Sequence, residues 1–525
     1  GGNMSLEYDC KNSLQTKILK GVDILADNVA STLGPRGRNV ILHQKGKNPI
    51  ITKDGVTVAR FVHLEDPFEN LGAQVIKQAS EQTNTEAGDG TTTSTVLARA
   101  ILKEAQKYIA SGISPVELKR GMDKAVEVIC DNLLLESCPI SSFEDIKHIA
   151  TISANGDKSI GNLISMAVDQ AGKDGSIVIE DGKGLETSLD ILEGFRIDSG
   201  YVASAFITDE RRGAVKYENP LVLITDKKLD NVEELLPILE IVARDNKPFI
   251  IIAEEIEGQA LAALIMNTVR GSMKIAGIKA PRYGQERRNI LADLALSVGA
   301  TFITRESGIS LEDVTLEHLG RAKSIDSLKY STTVIGGKGD MEEVDRRIES
   351  LKVEISQTED IYECERIQER ITRLASGIAV IKVGGSTEIE MIEKKHRIED
   401  ALEAVKSAQE DGIVAGGGVA LVRSAVKSKV KVDNDEQKIG VKIIKEAINE
   451  PVRQIARNCG LAPDICLSQI KKTKGSRGLD FSTGKMVDMY QEGIVDPVKV
   501  TRCALKNASS VASTLLTTDY AIVQK

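Results

Sequence analysis

Tryptophan is absent from this 525-residue chain, and aromatic residues make up 3% of it, so its cores are expected to be aliphatic. The five histidines are scattered and none forms an HExxH pair, which leaves histidine-based metal or triad chemistry without support. Seven cysteines (Cys10, Cys130, Cys138, Cys364, Cys459, Cys466, Cys503) are odd in number, widely spaced and never arranged as CxxC. They suggest neither a zinc site nor a disulfide framework and read as reduced, mostly buried thiols. No apolar run approaches a membrane span, and the N-terminus lacks the basic-then-apolar order of a signal peptide. The expectation is a cytoplasmic protein with no membrane partner. The opening Gly1-Gly2-Asn3 ahead of Met4 is open to reading as a remnant of expression. A basic excess is missing too: 68 Lys and Arg stand against 77 Asp and Glu, a formal net charge of −9. That argues against a nucleic-acid partner, and pairs such as Arg287-Arg288 and Lys394-Lys395, set among acidic neighbours, read as solvated faces. Neither GxxxxGK[ST] nor GxGxxG occurs, which disfavours a P-loop NTPase and a dinucleotide-binding Rossmann unit. FSTGKM is the nearest miss, with its upstream glycine out of place and Met486 after Lys485.

What is present organises the chain into roughly three domains, since 525 residues exceed one core. From about residue 13 to 135 the apolar spacing in KILKGVDILADNVA and LARAILKEAQKYIA predicts helices, interrupted by strand-like NVIL and GVTVA. Between about 175 and 335 strand and helix patterns alternate (GSIVIEDG, LVLITD, NVEELLPILEIVARD, KPFIIIAEE, GQALAALIMNTVRG), which predicts an α/β domain. Residues 339 to 374 predict a helical hairpin with charged outer faces. From about 388 helices return, through EIEMIEKKHRIEDALEAVKSAQEDG and IGVKIIKEAINEPVRQIARNCG to the run before TTDYAIVQK.

Five turns rich in glycine and carboxylates stand out. In AGDGTTTSTV (87–96) the plain reading is that Asp89 or Thr91 caps a helix continuing through Val96, Leu97, Ala100, Ile101 and Leu102. A cap needs only one such residue. Gly88 and Gly90, the free N–H groups of a helix start and the threonine hydroxyls together make an anion nest with a carboxylate beside it. A carboxylate next to a phosphate makes sense with a hard cation such as Mg²⁺ between them. In TLGPRGRN (32–39) a helix stop accounts for Gly34 and Pro35. ITKDGVTVA (51–59) is most simply a hairpin: strand, Lys-Asp-Gly turn, strand. VAGGGVAL (414–421) sets three glycines between helical runs, where close backbone approach outweighs a simple cap. The Ile-Val-Asp-Pro turn at 494–497 is the fifth. If these turns share one nucleotide, residues 32–93 and 416–497 must meet in space and the middle of the chain is an insertion.

TLGPRGRNV, ITKDGVTVA, AGDGTTTSTVLA, TISAN, IEDGKGLE, IEDALEAV, VAGGGVAL and GIVDPVKVTR, in that order, resemble a group I chaperonin of the bacterial GroEL type, from about residue 10 to 518. The resemblance implies a multi-domain α and α/β fold: a mainly helical equatorial ATP-binding domain (1–135 and 411–525), a small intermediate hinge domain (136–192 and 377–410) and an α/β apical polypeptide-binding domain (193–376). It further implies an ATP-dependent chaperone, with ATP, Mg²⁺ and K⁺ as cofactors. Its implied partners are its own copies in a seven-membered ring, single or double, unfolded polypeptide clients, and a co-chaperonin.

By the same resemblance Leu33, Gly34 and Pro35 pack on the nucleotide, Asp89 ligates Mg²⁺, and Gly90, Thr91, Thr92 and Thr93 hold phosphates. Thr32, Lys53 and Thr92 match positions whose oxygens hold K⁺, while Gly416, Gly417 and Asp496, with Ile494 in the same turn, match the adenosine side. Asp54 and Asp400 match two carboxylates near the attacking water, where orienting that water suffices in a loose phosphoryl transfer. Asp400 lies in the hinge segment, so hinge closure would bring it to the γ-phosphate. NVEELLPILEIVARD and GQALAALIMNTVRG are apolar over more than one face, which ordinarily means full burial. The resemblance instead implies a client-binding stripe of Leu236, Leu239, Leu261, Ile265 and Met266, with Tyr201 and Phe206 nearby.

The chain departs from the family pattern in several places. Asp480 stands where Asn commonly contacts adenine, Ala205 replaces an aromatic of the peptide site, and Ser199 stands where an Arg pairs with the carboxylate matching Glu388. Leu461 and Ala462 occupy the acidic positions that meet the Arg matching Arg453 across two rings, so that ion pair is expected to be lost. Two other classes are a passive peptide-binding scaffold, against which Asp54, Asp89 and Asp400 count, and a small-molecule phosphotransferase, which needs an acceptor pocket.

Overall fold

Apolar residues recurring on one helical face close the helices Lys11–Ala30, Pro67–Ala87, Thr91–Ala110 and Pro115–Glu136, as the spacing predicts. Asp66 and Ser114 cap the second and fourth by accepting backbone N–H groups, each followed by a proline that fits a first helical turn. Leu25, Ile76, Leu97, Ile101, Met122 and Ile129 pack with Ile444 and Leu505 from the other end of the chain into one aliphatic core. The computed structural model describes residues 5–140, 142–154, 156–171 and 177–524. Gly1-Gly2-Asn3, Asn155 of TISAN, the first two residues of GSIVIEDG and Lys525 lie outside the described residues.

The chain divides into two compact units, the first reaching up to Ser165 and resuming at Ile392, the second running from Met166 to Met391. The expected insertion of the middle is therefore present. Helices Val419–Lys427, Asp435–Ala447, Glu450–Asn458, Pro463–Lys471 and Val498–Leu516 complete the first unit. IGVKIIKEAINEPVRQIARNCG is two helices rather than one run, because Pro451 lacks an N–H and forces a new start at Glu450. Two short ribbons flank the helices: Val40–Leu42 pairs with Ile50–Thr52, and Leu6–Cys10 with Tyr520–Gln524. The sequence reading did not anticipate the second ribbon.

ITKDGVTVA is also corrected. Gly55–Phe61 is a helix, because Asp54 caps it, accepting from the Val56 N–H and the Thr57 hydroxyl, and this local gain overrides the β preference of Val and Thr. FSTGKM is the turn between the paired strands Arg477–Asp480 and Lys485–Asp488, not a phosphate loop.

The second unit is built on a mixed sheet of nine strands among the described residues, whose members Leu221–Ile224, Phe249–Ala253 and Ile275–Lys279 pair in parallel. LVLI and FIIIA are buried throughout, the signature of strands covered on both faces. Helices Val232–Asp245, Gly258–Val269 and Gly284–Val298 follow these strands, which is the expected α/β texture. The helical hairpin is present as Met341–Gln357 and Ile361–Ala375. It is pinned by buried Asp293, which accepts from Arg347 (2.8 Å) and Arg370 (2.7 and 2.9 Å). All seven cysteines are free, but only Cys130 and Cys466 are buried, and Cys10 and Cys138 are exposed, so burial is less general than expected. Among the described residues no helix is long and apolar enough to cross a membrane.

Candidate functional site

The Gly88-Asp89-Gly90 turn joins two long helices of the first unit. Gly88 (φ 75°) ends the first in the left-handed region and Gly90 (φ 90°) opens the second, a backbone path that favours glycine at both positions. No side chain caps the Thr91–Ala110 helix, so neither Asp89 nor Thr91 plays the capping role of the plain reading. Asp89 accepts from the adjacent Gly90 N–H (2.7 Å), and the buried Thr91 hydroxyl has no hydrogen-bond partner. The first-turn N–H groups and the positive end of the helix dipole are thus left for an external anion.

Three other stretches close on this turn. A Cβ added to Gly55 would run into the Thr92 hydroxyl and come within 3.3 Å of the Thr32 hydroxyl, so Thr32, the Asp54-Gly55 step and Thr92 meet at one point. Asn458 holds the loop after Lys11–Ala30 by donating to the carbonyls of Ala30 and Leu33, both at 2.9 Å. Leu33 packs on the neighbouring aliphatic cluster, Gly34 and Pro35 are exposed, and Lys53 is exposed. On the far side Val414 pairs with Asp496, the Gly416 N–H donates to the Ile494 carbonyl (2.9 Å), and the Phe481 ring lies against Gly417. A Cβ on Gly90 would stand 2.9 Å from Val500, which joins this side to the Asp89 turn. The expected meeting of 32–93 with 416–497 is therefore observed. Asn458 and Phe481 were missed by the sequence reading, and neither carries a local signal. Asp480 is engaged in its own hairpin turn, accepting from the Ser482 N–H (2.9 Å) and hydroxyl (2.6 Å).

The carboxylates share one field. The surrounding protein raises the pKa of Asp89, the Gly90 N–H partly offsets this, and the negative charge of Asp54 raises it further. Asp496 is pushed up to about 6, first by desolvation and then by the charge of Asp89, with the Gly417 N–H opposing. Solvent still reaches both, since Asp89 is exposed and Asp496 half-buried. The protein around them displaces bulk water without sealing the groups off. A cavity of about 280 Å³ elsewhere in this unit, lined by Lys119, Asp123, Cys130, Lys506 and Ser509, includes none of the expected site residues.

Asp400 lies half-buried on the Glu388–Asp411 helix. Downstream on this helix the Ser407 hydroxyl donates to the Ala87 carbonyl (2.6 Å), and a Cβ on Gly88 would run into the Cβ of Glu403. The part of the helix that follows Asp400 is thus seated on the turn that carries Asp89.

In the second unit the Val232–Asp245 helix buries Leu235, Ile238, Leu239 and Val242 and leaves Leu236 48% exposed. Its neighbour Gly258–Val269 buries Ala260 and Leu264 and leaves Met266 (47%) and Val269 (70%) outside. Leu261, Ile265 and Tyr201 are half-buried against the core. Leu239 and Phe206 are core residues, which corrects their place in the expected stripe: Leu239 falls on the inward face of its helix, and Phe206 packs beside Gly277. Val269 belongs to the exposed face and was missed.

Residues 25–525 match the sequence profile of the TCP-1/cpn60 chaperonin family. Among solved structures the chain is similar to the chaperonin gp146 from the bacteriophage EL 2 (Pseudomonas aeruginosa), crystallised in presence of ATP-BeFx. The TM-score is 0.66 and the identity 20%, with 99% of each chain covered. At that identity the likeness is one of fold, and it carries the multi-domain α and α/β architecture. Together with the ordered turns that meet at Asp89, these matches show that the chain belongs to the TCP-1/cpn60 chaperonin family.

Proposed function

We propose that this chaperonin hydrolyses ATP in the cleft around Asp89 and uses the cycle to capture and release non-native polypeptides in a cytoplasmic ring. The observation that carries this reading is the uncapped helix start at Thr91, with its unpartnered buried hydroxyl, facing the shared field of Asp54, Asp89 and Asp496. Gly90, Thr91, Thr92 and Thr93 would hold phosphates. Among the described residues no three His, Cys, Asp or Glu side chains come together as a metal cage, so Mg²⁺ on Asp89 would complete its shell with phosphate and water oxygens, its usual preference. Bound there, it would neutralise phosphate charge. The hydroxyls of Thr32 and Thr92, converging at Gly55, with an oxygen of Lys53, would suit K⁺. Leu33, Gly34, Pro35, Gly416, Gly417, Ile494 and Asp496 would border the nucleoside, and Asp54 and Asp400 would orient the attacking water. The solved gp146 structure, with ATP-BeFx present, supports the use of ATP.

We assign residues 136–192 and 377–410 to a hinge, a segment that the two-unit division splits between both units. Leu236, Met266 and Val269, backed by Leu261 and Ile265, would form the client face, since apolar area gains roughly 25 cal/mol per Å² on burial with little geometric demand. Ring assembly is supported by two of the isolated ribbons, Val40–Leu42 with Ile50–Thr52 and Leu6–Cys10 with Tyr520–Gln524, which expose Ile41, Ile50, Ile51, Tyr8, Tyr520 and Ile522 beside unpaired strand edges. Between rings the expected loss of an ion pair is reinforced, because Arg453 already meets Glu446 (3.0 Å), Glu450 (3.5 Å) and Asp464 (3.3 Å) of its own chain. Leu461 is packed on a core cluster rather than held out for a partner. Single rings should therefore be readily populated, and native mass spectrometry on dilution, with and without ATP, reads this directly.

A coupled ATPase assay with and without unfolded protein tests the main reading. The expected result is Mg²⁺-dependent turnover that changes when a denatured client is added. Client binding without turnover would make the protein a passive scaffold, and turnover that requires a small acceptor would make it a phosphotransferase.

A further inference from the structure

We propose that Ser407 is a positioning residue for Asp400: its hydroxyl locks the register of the Glu388–Asp411 helix against the Asp89 turn. The proposal rests on the reading of Asp400 as a water-orienting carboxylate.

Serine and threonine within helices commonly spend the hydroxyl on the carbonyl four residues back. In this chain Thr83, Thr95, Thr151 and Ser165 do so. Ser407 instead donates outward, 2.6 Å to the carbonyl of Ala87, 320 positions earlier in the chain. That carbonyl is the last of the Pro67–Ala87 helix and has no acceptor role within it. Both residues are buried, at 4% and 2% exposure, so the bond is shielded from competing water.

Ala401, Ala404, Val405 and Ala408 are buried around Ser407, and small apolar side chains fix closeness but not register. The Ser407 hydroxyl adds a directional bond at this contact, and Lys499, which donates to Glu410 (2.7 Å), anchors the end of the same helix. Gly88 reinforces the closeness, since any Cβ there would strike Glu403. Asp400 precedes Ser407 by seven residues, two helical turns, so it lies on the same helical face about 10 Å along the axis. A helix is stiff over two turns, so a slip at Ser407 is transmitted to the Asp400 carboxylate. Phosphoryl transfer depends on alignment of the attacking water, and misplacement by about 1 Å can cost about 100-fold.

The test is steady-state ATP hydrolysis by the full chain in Mg²⁺. Ser407→Ala is expected to lower kcat about five- to tenfold and leave KM for ATP within about twofold, because the loss falls on the transition state. Ser407→Thr, which keeps a hydroxyl, should recover most of the rate. Combining Ser407→Ala with Asp400→Ala should give a kcat no lower than Asp400→Ala alone, since Ser407 acts through Asp400. A general weakening of the fold would not reproduce that non-additivity. The proposal is overturned by an unchanged kcat in Ser407→Ala, by a loss carried entirely in KM, or by multiplicative effects in the double variant. Absence of hydrolysis in the unmodified protein, or a normal rate in Asp400→Ala, removes the underlying reading and the proposal with it.

Discussion

In the first unit the candidate site is assembled from backbone turns and short oxygen-bearing side chains drawn from stretches scattered between Thr32 and Val500. In the second, the candidate client face is what two neighbouring helices leave outside the core: Leu236, Met266 and Val269. The first site is specified by groups with few physical substitutes. Asp89 supplies a carboxylate beside uncapped N–H groups, Gly55 supplies the room that Thr32 and Thr92 need, and Asn458 supplies two hydrogen bonds to one loop. The second is made of aliphatic residues that are interchangeable in kind and differ only in which way the helix turns them. Single changes should therefore be severe and specific in the first unit. In the second their consequences should follow burial.

The largest effect is expected at Asp89. Asp89→Ala should weaken Mg²⁺-dependent ATP binding by about 100-fold or more in titration calorimetry, because it removes the one protein carboxylate assigned to the cation. Nucleotide binding without Mg²⁺ should change little. Equal losses in both conditions would detach Asp89 from the metal. Next is a pair of leucines three residues apart. Leu239→Ser should destabilise the second unit by about 3–4 kcal/mol, by leaving a cavity and burying a hydroxyl. Leu236→Ser should leave the melting temperature nearly unchanged and weaken capture of a denatured client several-fold. The reverse pattern would erase the proposed distinction between core and face. A smaller effect is expected at Asn458, where Asn458→Ala should raise KM for ATP about fivefold with little change in kcat, since the loop it holds is assigned to the nucleoside rather than to the reacting phosphate.

The smallest prediction concerns pH. Asp496 rises from an ordinary value of 3.8 to about 6 in the folded chain. The folded state therefore holds this proton more tightly than the unfolded state, and stability is lost as pH rises from about 4 through about 6. Solvent reaches the group, so the loss is discounted to about 1 kcal/mol. Asp496→Asn should remove it: the stability of the variant relative to the unmodified nucleotide-free chain should grow between pH 4.5 and 7. A constant difference across that range would contradict the assignment.

Much of the first site was legible because its residues carry local chemistry. AGDGTTTSTV suggested a ligand by itself, VAGGGVAL and the Asp496 turn only as members of the set, and the structure brings them together. What was misread shows where local pattern runs out. In ITKDGVTVA the β-branched residues argued for a strand, but one capping carboxylate at Asp54 decided for a helix. Asn458 and Phe481 give no sign until the chain is folded, because their partners are distant in sequence. The strand Leu6–Cys10 is short, and its partner lies at the other terminus. Helices apolar on more than one face carry no mark of where the core lies, so the stripe came from the resemblance alone, which included Leu239 and, off those helices, Phe206, and passed over Val269.

The central claim is that the cleft of the first unit hydrolyses ATP through a carboxylate brought in on the Glu388–Asp411 helix. Its most direct test is the turnover of Asp400→Ala measured together with its nucleotide affinity. Turnover should fall at least tenfold with affinity within about twofold of the unmodified protein, the mark of a group that acts in the transition state. Unchanged turnover, or a loss of binding that matches the loss of turnover, would contradict it.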